Sequence, residues 1–308
     1  MNNPLNQAKK HAYLLLLLPA MFISVSVVLI PAIQTVFNSM TNWNGFAAKK
    51  EFIGLANYIE LFSDRYFKIA LKNNIIWLAL FMTIPPTMGM CMALLLLHRK
   101  NSRNLLQTIF LIPYVLSPVV IAMIFKNIIY SPTTGFLHFL NELNLGLNLK
   151  NPLTNRQFGI FAVAAVDMWH FWSYLMIIYL AALRQTPADQ LEAARLDGAG
   201  ELRVFLEIGV PMGIPGILSV CILTFLDSWN MIEQPMTYLK TKALWPLSLF
   251  LPEIGMGEMG VGFAAAFLML VPALLLFLGC QEYLDSLDAA YANDVASGAI
   301  ANVPKPNF

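Results

Sequence analysis

Charge is what this sequence has least of. Only 12% of its 308 residues are Asp, Glu, Lys or Arg, while 58% are hydrophobic and the mean hydropathy is +0.63. An ordinary soluble domain carries roughly a quarter charged residues, so the balance is that of a membrane protein. The net charge is +1 and no basic stripe interrupts the apolar runs, which excludes nucleic acid as a partner. Cysteine is nearly absent: Cys91, Cys221 and Cys280 each lie inside an apolar stretch, odd in number for a disulfide framework and too scattered for a metal site. No glycine is followed directly by lysine, so the Gly-x4-Gly-Lys-Ser/Thr loop that cradles nucleotide phosphates is missing too. Repeats and low-complexity tracts are likewise not seen.

What is present is a series of long apolar segments. Crossing a bilayer core of about 30 Å takes roughly 20 apolar residues of helix, because lipid cannot satisfy a bare backbone. Six segments meet that test, near Ala12–Phe37, Ile75–Leu97, Leu105–Ile129, Phe158–Leu183, Ile214–Met231 and Val261–Leu284. The first follows Lys9 and Lys10, exceeds the length of a signal-peptide core and lacks a small-x-small cleavage site, so it is expected to stay as a span. Prolines at 19, 31, 85, 86, 113, 118 and 272 are expected to kink these helices. The segment Asn57–Tyr66 has a helical period and predicts a short interfacial helix, Gly255 to Gly262 a flexible outer loop, and the chain after Asp288 a loosely ordered tail.

Orientation rests on the short connection His98 to Arg103, whose three fixed charges belong in the cytoplasm. The chain-wide tally of Lys and Arg, nine inside against ten outside, does not discriminate. With six spans both termini are expected to be cytosolic, in the cytoplasmic (inner) membrane, and so is the polar interval Arg184–Pro211. Within that interval Thr186 is placed to cap a helix, Pro187 to occupy its first position and Asp189 to face the positive end of its dipole. Gln190 to Leu196 favour helix, and Gly198 stands where a helix ends in a left-handed residue. Ala193 and Ala194 keep the helix thin enough to enter a groove on another protein, beside the single charge of Glu192. After the turn, Leu202, Phe205, Leu206 and Ile208 form an apolar stripe, and Pro211 is expected to end a second short helix before the fifth span.

Glu-Ala-Ala-Arg alone is common helix filler. The full spacing is not: Glu192-Ala193-Ala194, three residues, Gly198, nine residues, Ile208, one residue, a hydrophobic residue and Pro211. This pattern resembles the cytosolic loop of ABC-importer permeases, with Val210 where that family usually has leucine. The resemblance extends over roughly residues 50 to 283 and points to the maltose, glycerol-phosphate and multiple-sugar class. It is carried by Phe52-Ile53-Gly54-Leu55-Ala56-Asn57-Tyr58, Pro113 with Ser117-Pro118, Trp169, Gly198-Ala199 and Trp229-Asn230. It implies that Glu192, Ala193, Ala194, Asp197, Gly198, Ile208 and Pro211 form the loop that engages an ATPase, and that no catalytic residue or cofactor belongs to this chain. ATP and Mg would sit on two separate ATP-binding subunits, beside a second homologous permease and an extracytoplasmic solute-binding protein.

A solute path needs polar groups inside the membrane, where ionisable residues are costly and must face protein or water. Asp167 lies near Trp169, His170, Trp172 and Tyr174, and Asp227 near Trp229 and Asn230. A sugar offers hydroxyls to carboxylates and amides and a C–H face to aromatic rings, so both clusters suit it. The same residues also suit helix packing, and both readings stand at this point; His170 reads as a hydrogen-bonded core residue. The expected architecture is an all-α integral membrane protein of about six transmembrane helices, with a coupling helix between spans 4 and 5. Residues 1–69 form a first helix and outer segment, 70–284 a permease domain and 285–308 a cytosolic tail. The expected activity is carbohydrate import as the pore-forming subunit of an ATP-driven, binding-protein-dependent transporter. The alternatives are a glycerol-phosphate or polyol solute on the same architecture, or an ATP-independent secondary transporter using the two aspartates.

Overall fold

The computed structural model describes residues 17–47, 49–97, 99, 102–143, 149–154, 158–184 and 188–296. It is almost wholly helical there: the one β feature among those residues is an isolated antiparallel bridge between Thr41 and Phe52. Five helices are long and apolar enough to cross a membrane, and six if one bent pair counts as a single span. In chain order the helices are α1 (Leu17–Asn38), α2 (Ala56–Ser63), α3 (Arg65–Leu97), α4 (Arg103–Val115), α5 (Pro118–Ile129), α6 (Phe136–Glu142) and α7 (Gly159–Leu183). They continue as α8 (Ala188–Leu196), α9 (Glu201–Val204), α10 (Val210–Trp229), α11 (Glu233–Tyr238), α12 (Leu247–Phe250) and α13 (Met259–Ala296).

The chain divides into two compact units, Met1–Arg65 with Leu251–Val271, and Tyr66–Phe250 with Pro272–Phe308. In the first, polar groups are tied to one another around the start of α2. Asn57, 6% exposed, donates its amide to the carbonyls of Ser39 (2.8 Å) and Thr41 (2.9 Å), and the hydroxyls of Tyr58 and Ser39 meet at 2.7 Å. Gly54 just before them has φ +63°, a left-handed turn open to glycine at little cost. Gly260 faces the same amide so closely that an added Cβ would come within 2.6 Å of Asn57 Nδ2. Trp43 stacks on Phe263 at 5.9 Å and Tyr58 meets Phe267 edge-on. The helix expected over Asn57–Tyr66 is α2, which ends at Ser63 before α3 begins at Arg65, and it is anchored by amide and hydroxyl bonds.

The second unit is organised round α7, which is buried on nearly every side. Its core includes Trp77 and Phe81 of α3, Leu175, Met176 and Leu180 of α7, and Val220 of α10, all nearly inaccessible. Small residues allow the helices to close on one another: an added Cβ on Gly89 would lie 3.0 Å from the Met176 backbone nitrogen, and one on Gly216 would collide with Ala182. The prolines act in different ways. Pro85, Pro86, Pro215 and Pro272 lie inside continuous helices, whereas the third span breaks between Pro113 and Pro118, where α4 and α5 meet at 84°. Leu116 and Ser117 are extended at that break, as residues near a following proline tend to be.

Several boundaries differ from expectation. The second span starts at Arg65 instead of Ile75, taking in Lys68, Lys72, Asn73 and Asn74. Both asparagines bond to the segment after α11: Asn73 donates to the carbonyls of Ala243 and Trp245, and the Asn74 side-chain oxygen accepts from the Leu247 amide. That segment packs into the protein, since Leu239, Leu244 and Leu247 are buried in it and Ser248 hydrogen-bonds to the Met231 carbonyl. The stretch from Gly255 to Gly262 holds a short turn of 3-10 helix and the start of α13. That last helix runs past Asp288 to Ala296 through Ala289-Ala290-Tyr291-Ala292, residues with good helix propensity. The remainder of the expected tail lies outside the described residues.

Candidate functional site

Two features of the second unit hold the residues singled out in the sequence, one at each end of α10. At the first end, α8 spans Ala188–Leu196 as expected, while its capping residues Thr186 and Pro187 lie outside the described residues. Its far end closes by a paired hydrogen-bond turn. Gly198 takes φ +83°, its N–H donates to the Arg195 carbonyl (3.1 Å), and the Ala199 N–H donates to the Ala194 carbonyl (3.0 Å). This is a Schellman cap, which satisfies the orphan carbonyls and demands a residue at ease with positive φ. The Arg195 guanidinium straddles the turn and donates to both oxygens of Glu201, at 2.8 and 3.1 Å. That hydrogen bond, and then the charge of Glu201, raise the Arg195 pKa.

Glu192, Ala193, Leu196, Asp197 and Gly198 are exposed, Leu196 by 82%, so α8 presents an apolar tip and a charge on the surface of the isolated chain. Ala194 and Ile208 are half-buried, and Val204 at the root is 4% exposed. At the same end Arg184 lies near Arg103; burial first and then that neighbouring guanidinium lower its pKa. The connections after α3 and after α7 thus lie on one side of the unit.

Pro211 does not end a helix, contrary to expectation. The residues from Val204 to Val210 all keep helical dihedrals, with Phe205–Gly209 wound as a π-turn in which the Val210 N–H reaches the Phe205 carbonyl. A proline ring clashes with the carbonyl four residues back and offers it no N–H, and a wider turn just before it relieves both problems. The same device occurs in α1: Ser24–Leu29 is a π-turn, the Ile30 N–H donates to the Val25 carbonyl, and Pro31 follows. Helical backbone therefore runs unbroken from Glu201 through Pro211 to Trp229, roughly 40 Å at 1.5 Å per residue.

At the other end of α10 lies a cavity of about 580 Å³. Four elements build it. The bend between α4 and α5 gives Tyr114 and Pro118, α7 gives Asp167, His170 and Phe171, the end of α10 gives Leu226, Asp227 and Asn230, and the turn into α11 gives Glu233 and Gln234. Asp167 is the floor, 3% exposed, and accepts a hydrogen bond from Gln234 Nε2 at 2.6 Å. Its Oδ2 and the Nε2 of His170 are buried without a protein partner among the described residues. The His170 ring lies 5.3 Å from Tyr114, which also stacks on Tyr174 at 4.7 Å. Asp227, Asn230 and Glu233 are exposed at the rim of the isolated chain.

Of the seven residues expected along a solute path, the cavity brings together Asp167, Asp227 and Asn230, which are 60 or more positions apart in sequence for the first two. Tyr174 stands one ring behind the wall. The tryptophans do not line it: Trp172 is 6% exposed against Phe110, Trp229 is 5% exposed and stacks on Phe225, and Trp169 turns outward, 41% exposed, against Phe125. In a helix, residues two and five positions from Asp167 project about 200° and 140° away from it, which accounts for both α7 tryptophans. Tyr114, Glu233, Gln234 and His170 line the cavity instead. His170, three positions from Asp167, shares its helix face, a signal available in the spacing.

Residues 86–287 match the family described as the binding-protein-dependent transport system inner membrane component. The chain is 32% identical over 286 residues to the probable ABC transporter permease protein YurN of Bacillus subtilis, covering 90% of this chain and 96% of that one. It is 27% identical to the probable starch degradation products transport system permease protein AmyD of Thermoanaerobacterium thermosulfurigenes (83% and 88% covered). It is 29% identical to the sn-glycerol-3-phosphate transport system permease protein UgpA of Yersinia pestis (71% and 75% covered). Its fold is similar, with a TM-score of 0.72 at 22% identity over 90% of this chain and 96% of the other, to the bacterial alginate ABC transporter solved with an alginate-pentasaccharide-bound periplasmic protein. The length of the family match, the five or six apolar spans and the near-complete coverage of the YurN permease agree: this chain is a multi-pass member of the binding-protein-dependent transport system inner membrane component family, an ABC transporter permease.

Proposed function

We propose that the chain forms half of a carbohydrate import path, driven by separate ATP-binding subunits that engage α8 and supplied by an extracytoplasmic binding protein. The observation that carries this is the unbroken helical rod from Glu201 to Trp229, which joins the exposed α8 turn at one end to the cavity wall at the other. A push on α8 passes through the Arg195–Glu201 pair and the capped turn into that rod, and the rod carries Asp227 and Asn230 with it. ATP and Mg belong to the partner ATPase, of which two copies are expected. A second, homologous permease closes the open side of the cavity.

The starch-product permease AmyD supports a carbohydrate as solute, and the cavity suits one: carboxylates and amides for hydroxyls, with Tyr114 and Phe171 offering ring surface. The glycerol-phosphate relative is the rival for the solute, and the absence of Lys and Arg among the described wall residues disfavours it. The short basic connection that ends at Arg103, at the same end as α8, supports a cytoplasmic position for that end and, with six spans, for both termini. The test is affinity purification of the tagged chain in mild detergent, followed by ATP-dependent uptake in proteoliposomes. The reading expects an ATP-binding subunit and a second permease to co-purify and uptake to stop without ATP; uptake at full rate without the ATPase contradicts it.

A further inference from the structure

We infer that the cavity between the α4–α5 bend, α7 and α10 sorts solutes by charge, admitting uncharged or amino-bearing sugars and turning away anionic ones. The inference rests on the reading that solute passes this cavity, and adds the class of solute it accepts. Its wall holds three carboxyl side chains, Asp167, Asp227 and Glu233, and no Lys or Arg among the described residues. Lys126 of α5 sends its ammonium to the Thr237 carbonyl at 3.3 Å and is not part of the wall. An anion entering would give up water beside carboxyl groups with no cation to replace it, a repulsive element of the kind that sets specificity.

The floor is also built to receive a donor. Asp167 is 3% exposed, and its Oδ1 is held by Gln234 while Oδ2 has no protein partner among the described residues. His170, 7% exposed on the same face of α7, likewise leaves Nε2 without one. A sugar hydroxyl can donate to Oδ2 and accept from or donate to the imidazole, and an ammonium in place of one hydroxyl meets Oδ2 with a stronger, charge-assisted bond. A carboxylate, or a phosphate in its dianionic form, has no proton for Oδ2. In this the wall is unsuited to an acidic polymer such as the alginate carried by the transporter whose fold is similar.

The experiment uses the whole transporter, with Cys91, Cys221 and Cys280 replaced by alanine and Asn230→Cys introduced at the rim. Two thiol reagents are compared, trimethylammonioethyl methanethiosulfonate, which is cationic, and sulfonatoethyl methanethiosulfonate, which is anionic. In each, the thiolate forms a disulfide with the reagent sulfur and a sulfinate leaves. The ratio of the two rates is read against the ratio for a free thiol, because the thiolate fraction is common to both reagents. The inference expects the ratio to favour the cation by about tenfold beyond the free-thiol value, and Asp167→Asn with Asp227→Asn to reduce that preference. A ratio equal to the free-thiol value overturns it, while a block of uptake by either reagent would still leave the cavity on the path. Full uptake after complete modification overturns the path reading and the inference together. Ile232 also lines the cavity and is exposed, so Ile232→Cys repeats the measurement where Asn230→Cys does not reach the membrane.

Discussion

The α8 turn and the cavity sit at opposite ends of one helix and were built by different rules. The turn is local: every bond that shapes it joins residues within a dozen positions, from the Ala199 N–H on Ala194 to the Arg195 fork on Glu201. The cavity is assembled from four elements spread between Tyr114 and Gln234, and no two neighbours in sequence explain it. A part that must fit a foreign surface can be specified by its own few residues. A part that must change shape with the bundle is specified by the bundle.

That contrast can be broken from either end. The largest effect is expected from Glu192→Lys combined with Gly198→Val. A β-branched residue at φ +83° costs about 1–2 kcal/mol locally and reshapes the cap. Uptake should fall at least about tenfold, that being the weight of a 1.4 kcal/mol loss at a coupling contact, while membrane levels by immunoblot stay unchanged. Next comes Asp167→Leu, which leaves the half-buried Gln234 amide without its acceptor and removes the floor of the cavity. Transport measured by labelled-solute uptake should drop several-fold more than in Asp167→Asn, which keeps the volume and one acceptor oxygen; equal loss in the two would mean that the carboxylate charge, which both variants lack, matters there and the hydrogen bond to Gln234 does not.

A third substitution sharpens the contrast by touching neither end. Asn57→Leu in the first unit removes two buried hydrogen bonds and leaves the carbonyls of Ser39 and Thr41 unmet, a cost of about 2–4 kcal/mol. The melting temperature in detergent should fall, whereas the ATPase-to-uptake ratio of the surviving protein should not change. The smallest effect is expected from Arg195→Gln. Its pair with Glu201 is solvent-exposed and screened, so uptake at physiological salt should change less than about twofold. A large loss there would make the ion pair, not the glycine cap, the stiff element of the turn.

The same division explains what could be read in the sequence. The α8 turn was legible to the residue, because a glycine after a run of helix formers has one good use. The Phe52–Tyr58 motif could be located but not explained, since the acceptors of Asn57 are 16 and 18 residues away. Spans were legible by length and hydropathy, and so were Asp167 and Asp227 as membrane-buried charges in need of a reason. The tryptophans misled, because proximity along a helix is not proximity in space: Trp172 and Trp229 pack in the protein, and Trp169 faces out. Pro211 misled for another reason. Proline usually ends a helix, but a π-turn ahead of it lets the helix run on, and nothing in composition distinguishes the two. Gln234 and Glu233 were hidden in a stretch that hydropathy reads as an outer loop.

The central claim is that α8 and the cavity wall move as one through the rod between them. The most direct measurement is the modification rate of Asn230→Cys by the cationic thiol reagent, in the reconstituted transporter, without nucleotide and with ATP plus vanadate. The account predicts a change of at least severalfold between the two states, and its loss when Glu192→Lys and Gly198→Val are added. An equal nucleotide-dependent change with and without those two substitutions would contradict it.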